Sequence, residues 1–157
     1  MDNGDCRMNQ PIKGGDEALV QESAGQQLKA TVFGFESPAT LAKPKGIARL
    51  CRSDIIYSSV QMLEEGGENN LHAHSAQDGV WIVLRGRARF YGKDDKLLAE
   101  IGPLQGIHIP RGFYYWFEKA GEERLEILQV EAIDKTVVNK RLDATPAKDF
   151  AKAVQYF

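Results

Sequence analysis

The sequence predicts an all-β sandwich or barrel. Two observations carry that prediction: short runs of β-branched and aromatic residues recur along the chain, and turn-forming residues separate them roughly every ten positions. No internal repeat appears at longer periods. At 157 residues the chain fits one domain with a single core.

Residues 1–27 are rich in Gly, Asn, Asp and Gln and have no clear period, so a flexible N-terminal arm is expected. "LKATVFGFE" (28–36) then gathers β-branched and aromatic residues before Ser37-Pro38 and predicts a strand. The basic residues of "LAKPKGIARLCR" (41–52) read as a solvated surface loop. "DIIYSSVQML" (54–63) is a second strand, ended by Gly66-Gly67. Within "VWIVL" both alternating sets are apolar: Val80, Ile82 and Leu84 on one face, Trp81 and Val83 on the other. Such a strand is buried on both sides, so a second subunit or the chain's own N-terminal strand must cover it; a homodimer is preferred.

Further strands follow at "RARFYG" (87–92), "LLAEIG" (97–102), "GIHIP" (106–110), "YYWFE" (114–118) and "RLEILQVEAI" (124–133), with turns at "KDDK" (93–96) and Gly121. The barrel is expected over residues 28–142. The tail "DATPAKDFAKAVQYF" (143–157) reads as a C-terminal α-helix docked on the barrel: Thr145 suits the N-cap, Pro146 the first turn, and Ala147, Phe150, Ala151, Val154 and Phe157 share a face.

The composition narrows the partners. Lys+Arg 20 against Asp+Glu 22 gives a formal net charge of −2, with no block of one sign, so neither nucleic acid nor a charged membrane surface is an expected partner. The first twenty residues hold no apolar signal segment, and no run approaches the roughly 18 apolar residues of a membrane span, so a soluble cytoplasmic protein is expected. Cys6 and Cys51, without CxxC spacing, fit reduced thiols.

The chemistry concentrates in "GGENNLHAHSAQDGVWIVLRG" (66–86). Gly66, five residues, His72-x-His74, and the later Gly86 resemble the first motif of the cupins, with Gly79 standing where that motif has a glutamate. "GPLQGIHIPRGFYYWF" (102–117) is similar to the second motif: Ile109, Pro110 and Gly112 match its proline-glycine turn, and Tyr115 stands at the third histidine. The motifs and their flanking strands cover residues 50–133. The resemblance implies a double-stranded β-helix, or jelly roll, holding one metal ion and a small ligand inside.

The residues themselves support part of this. Histidines at i and i+2 on a strand point to the same face, so His72 and His74 converge if that face is the interior. Two imidazoles are a weak set, and the 2-His-1-carboxylate pattern needs an acid. Asp78 is the candidate if a one-residue bulge turns it inward; Gln77 offers a neutral oxygen, and Tyr115 ligates only as phenolate, which a reference pKa of about 10 disfavours. Fe(II), Mn(II), Ni(II) and Zn(II) all suit such ligands. The opposing interpretation is that His72 and His74 are hydrogen-bonded barrel histidines, with Tyr115 filling the place of a lost ligand.

Trp81, Gln77 and Tyr115 are the expected pocket residues, part of a lining built with the aromatics of "FYYWF" (113–117). His108 should face outward, and Arg85, Arg87 and Arg89 form a solvated rim. Two functions stand: a metal-dependent enzyme of dioxygenase or isomerase type with Tyr115 as catalytic proton donor, or a small-molecule-binding module without turnover. A storage role is third.

Overall fold

Period-2 alternation sends one set of side chains inward and the other outward, and the computed structural model is built almost entirely on that rule. It describes residues 19–146 and 153–157. The chain forms two compact units, Met1–Pro38 and Ala39–Phe157.

In the first unit, β1 (Val20–Ser23) and β2 (Gln26–Lys29) form an antiparallel hairpin. Ala24 and Gly25, at φ 48° and 75°, close it as a two-residue turn whose twist suits the strands. The arm expected over residues 1–27 is therefore a hairpin in its described part, and residues 1–18 lie outside the described residues. The strand expected over 28–36 is cut short. After the Ala30 N–H to Leu19 carbonyl bond there is no further partner strand, and Val32 and Phe33 continue as irregular, exposed chain.

The second unit contains β3 (Lys45–Arg52), β4 (Ile56–Leu63), β5 (Gly67–His74), β6 (Gln77–Arg85), β7 (Arg87–Tyr91), β8 (Leu97–Ile101), β9 (Gly106–Ile109), β10 (Tyr115–Ala120), β11 (Leu125–Ile133), β12 (Arg141–Asp143) and β13 (Val154–Tyr156). They form a five-stranded sheet, β12-β5-β10-β7-β8, and a six-stranded sheet, β13-β3-β4-β11-β6-β9. From β4 onward the chain crosses repeatedly between the two sheets, with β3–β4 and β7–β8 as neighbours within one sheet, and among the described residues only the β13–β3 pair is parallel. Part of the basic segment read as a surface loop is thus β3, with Lys45 buried where β3 meets β4.

The core lies between the sheets. Trp81, Val83, Leu125 and Ile127 come from the six-stranded sheet, and Phe90, Tyr115 and Phe117 from the other. Trp81 and Phe90 each lie 5.0 Å from Phe117 between ring centroids; truncating one such aromatic to alanine costs about 3–5 kcal/mol. Gly86 makes the β6–β7 turn at φ 75°, and a Cβ there would sit 2.5 Å from the Arg124 carbonyl oxygen, so both backbone and space demand glycine.

β6 buries one apolar face within the single chain and leaves the other on the outer surface, where cover by a second subunit is the expectation. Trp81 and Val83 are fully buried, whereas Val80 and Leu84 are 39% and 37% exposed on the outer face. The tail differs from its expectation. Instead of a helix over 143–157, its described ends are strands: Asp143 belongs to β12, paired with β5, and Val154–Tyr156 adds to the edge of β3. Thr145 does not serve as a described helix cap, because its hydroxyl accepts the Leu71 N–H at 3.0 Å and its carbonyl accepts from Asn70. Residues 147–152, the middle of the expected helix, lie outside the described residues. No helix among the described residues is long and apolar enough to cross a membrane.

Candidate functional site

β5 carries His72 and His74 on its inward face, and β10 sets Tyr115 directly opposite His72. His72 is 1% exposed. Its Nδ1 lies 2.8 Å from the Asn70 carbonyl oxygen. A carbonyl only accepts, so Nδ1 carries a proton and donates it to Asn70. The His74 ring stands edge-on to His72 at 5.2 Å and 86°, and Tyr115 lies 4.9 Å from His72 on the other side.

These rings border a recess of about 230 Å³, open solvent at its mouth included. β6 contributes Gln77 and Gly79, β11 contributes Glu131, and Ile109, Pro110 and Phe113 form the lip after β9. That lip is tied down on both sides: the Gly112 N–H donates to the His74 carbonyl at 2.8 Å, and the Arg111 N–H donates to Asp78 at 3.0 Å. Glu131 stands directly opposite Gly79 in the β6–β11 register. Its carboxylate accepts from Gln129, whose own oxygen accepts from Gln61 at 2.9 Å, so the acid is oriented by a chain of amides.

Solved structures with this arrangement of strands were found in quantity. The cupin domain of Cnp3 from Schizosaccharomyces pombe superposes with a TM-score of 0.59 at 17% identity, over 71% of this chain and 81% of that one. The fold is the cupin fold. An RmlC-like cupin with a double-stranded β-helix from Methanocaldococcus jannaschii gives 0.53 at 17% identity, covering 66% and 91% of the two chains. A Klebsiella pneumoniae protein with a double-stranded β-helix domain gives 0.53 at 13%, covering 85% and 99%. No protein-family model and no curated protein matches the sequence.

Against the cupin motif, the acid expected to stand in for the missing glutamate does not reach the histidines. The β6–β11 register runs unbroken from Val83 to Gln77, with its one irregularity at the far end near Arg85, so no bulge turns Asp78 inward. Its carboxylate instead accepts from the Arg111 backbone and guanidinium, each at 3.0 Å, and lies 3.7 Å from His108. The Arg111 N–H first, then its guanidinium and His108, hold Asp78 below the usual carboxylate range despite desolvation. Gln77 does line the recess, but its amide oxygen accepts from Asn139 and is directed to that partner.

Trp81 is buried beside Tyr115, with 6.3 Å between ring centroids. Among the described residues, no group of three or more His, Cys, Asp or Glu side chains is gathered closely enough to hold an ion. Two imidazoles alone fall short of a 2-His-1-carboxylate set and Asp78 does not complete it; Glu131 is the acid that shares the recess with His74.

Outside the recess, His108 is exposed on the outer face, as alternation demands. Arg85 pairs with Glu123, and Arg87 and Arg89 share Glu100, which leaves the arginine rim neutralised by surface carboxylates. Sequence reasoning missed two features. Glu131 was discoverable, because it alternates with Ile127 and Gln129 in one strand. Asn70, Arg141 and Asp143 were not: they form a hydrogen-bonded cluster beside His72 that exists only because β12 pairs with β5. Hydrogen bonds from Asn70 and Arg141, with a smaller contribution from His72, hold Asp143 below the usual carboxylate range.

Proposed function

We propose that this cupin barrel is a binding module for a small molecule, held in the recess between His74, Gln77, Tyr115 and Glu131, without metal-dependent turnover. One observation supports the reading: Asp78, the acid next to the empty motif position, is engaged outside by Arg111, so it does not supply the carboxylate that the motif has there. Much of the recess is open to solvent and its enclosed part is small, so the occupant is a compound of few carbons.

A second reading has its own support. A histidine whose Nδ1–H is fixed by a backbone carbonyl presents Nε2 in the manner of metal-bound imidazoles, and Glu131 shares the recess with His74. On that reading Fe(II), Mn(II), Ni(II) or Zn(II) is held by His72 and His74, the chemistry is of dioxygenase or isomerase type, and Tyr115 is the proton donor. Metal analysis of protein purified without added metal separates the two. Stoichiometric transition metal that is lost in His72→Ala favours the enzyme; metal-free protein whose His74 and Tyr115 NMR signals move on adding small metabolites favours the binder.

We also place the protein in the reducing cytoplasm, a reading supported by Cys51, a free thiol 3.0 Å from the Ser58 hydroxyl. A homodimer is proposed as well, with Val80 and Leu84 as its apolar contact.

A further inference from the structure

Resting on the binding reading above, we propose that the ligand is a small neutral polyol or sugar, one of whose hydroxyl groups sits against Gly79, accepts the indole N–H of Trp81 and donates to Glu131.

Three observations converge on that spot. The Trp81 side chain is fully buried, and its Nε1 has no hydrogen-bond partner. An indole N–H is donor only, and a buried one ordinarily finds an acceptor. Gly79 opens the space beside it: a Cβ at that position would meet Trp81 Nε1 at 3.6 Å and nothing else within 4 Å, and Gly79 itself lines the recess. Across the strand pair stands Glu131, an acceptor held in place by Gln129.

The position therefore has a donor on one side and an acceptor on the other. A hydroxyl group satisfies both at once. A ligand carboxylate satisfies Trp81 but meets the like charge of Glu131, and no Lys or Arg is among the described residues lining the recess to offset it. An ammonium satisfies Glu131 but confronts the indole N–H with another donor. Phe113, 41% exposed at the lip, and the Tyr115 ring offer apolar faces to the carbon skeleton.

The test is a titration of ¹⁵N-labelled protein followed at its two indole N–H resonances, with Trp116, whose Nε1 donates to Asp95 at 2.9 Å, as the internal reference. Erythritol and D-xylose are the probes, with acetate and methylammonium as charged comparators. The polyols are expected to move the Trp81 resonance saturably and leave Trp116 in place. Trp81→Phe, which keeps an aromatic ring and removes the N–H, should weaken binding roughly tenfold, the size of one hydrogen bond. Gly79→Ser supplies its own hydroxyl. It should shift the Trp81 resonance without any additive and abolish the polyol response, and it keeps the proposal testable if Trp81→Phe fails to fold.

Polyols that move His74 and Tyr115 but not Trp81 would overturn this inference and leave the binding reading standing. A Trp81 response to acetate or methylammonium instead would overturn the chemical class, and exchange with water alone would do the same. If no small metabolite perturbs any recess signal, both readings fail.

Discussion

Gly79→Glu tests whether the missing acid alone separates this barrel from a metal site. The substitution is sterically open, since a Cβ meets only Trp81 Nε1 at 3.6 Å and the backbone is not left-handed. The gross attraction between a carboxylate and a divalent ion 4 Å apart is about 8 kcal/mol at an effective dielectric of about 20. Burying the acid opposite Glu131 takes back several kcal/mol. A net gain of about 3 kcal/mol tightens Kd roughly a hundredfold. With Mn(II) or Zn(II) at about 100 times the variant's Kd, the folded state gains about 2.7 kcal/mol, a rise in Tm of about 5–10 °C. The parent protein, then near its own Kd, gains only about 0.4 kcal/mol and about 1 °C. Thermal melts with the ion and with EDTA measure the difference, and adding His74→Ala should erase it. A folded Gly79→Glu protein whose ion-dependent shift is no larger than the parent's refutes the reasoning.

Other consequences can be measured independently. Gly86→Ala should cost more than about 2 kcal/mol, from a left-handed backbone plus a Cβ 2.5 Å from the Arg124 oxygen, and should lower Tm in a melt; an unchanged Tm contradicts the turn geometry. Asp78, Asp134 and Asp143 are all held below the usual carboxylate range: Asp78 chiefly by the Arg111 N–H, Asp134 by Thr136 and Asp143 by Asn70. Because these folded-state values lie below the unfolded value of about 3.9, the stabilisation is complete above it and is lost as pH falls through the folded values. Melts from neutral to strongly acidic pH should show that loss, and Asp78→Asn should flatten part of the slope; an identical slope removes Asp78 from the account. Val80→Asp and Leu84→Asp should convert a dimer into monomer in sedimentation velocity; a parent protein that is monomeric at all concentrations ends the dimer proposal.

Most of the barrel was legible because alternation and turn glycines are local. Trp81 and Val83, and likewise Ile107 and Ile109, face inward as their spacing requires, and Gly86 marks its turn in the sequence. What stayed hidden depended on distant partners. The tail's apolar spacing fits a helix, yet Val154–Tyr156 is a strand because the edge of β3 offers it hydrogen bonds. The β1–β2 turn uses Ala24-Gly25, a weaker signal than the Asn-Gly that such turns favour. At the site, the histidine pair was readable from i, i+2 spacing. The cluster of Asn70, Arg141 and Asp143 was not, since no local pattern announces that residue 143 will lie opposite residue 72.

The two departures from the motif act as one change. Gly79 removes an acid and exposes an indole donor, while Tyr115 replaces an imidazole with a phenol that stacks on Phe90 at 6.4 Å. On the proposed binding reading, together they favour groups that both give and receive hydrogen bonds over a cation. Asp78 cannot reverse this from next door. Bringing it inward requires a bulge that breaks its pairing with Ala132, releases Arg111 from two hydrogen bonds and frees the lip over His74. A gain of metal affinity is therefore expected from a change at position 79 and from none at position 78, and that asymmetry belongs to the geometry of β6 rather than to its composition.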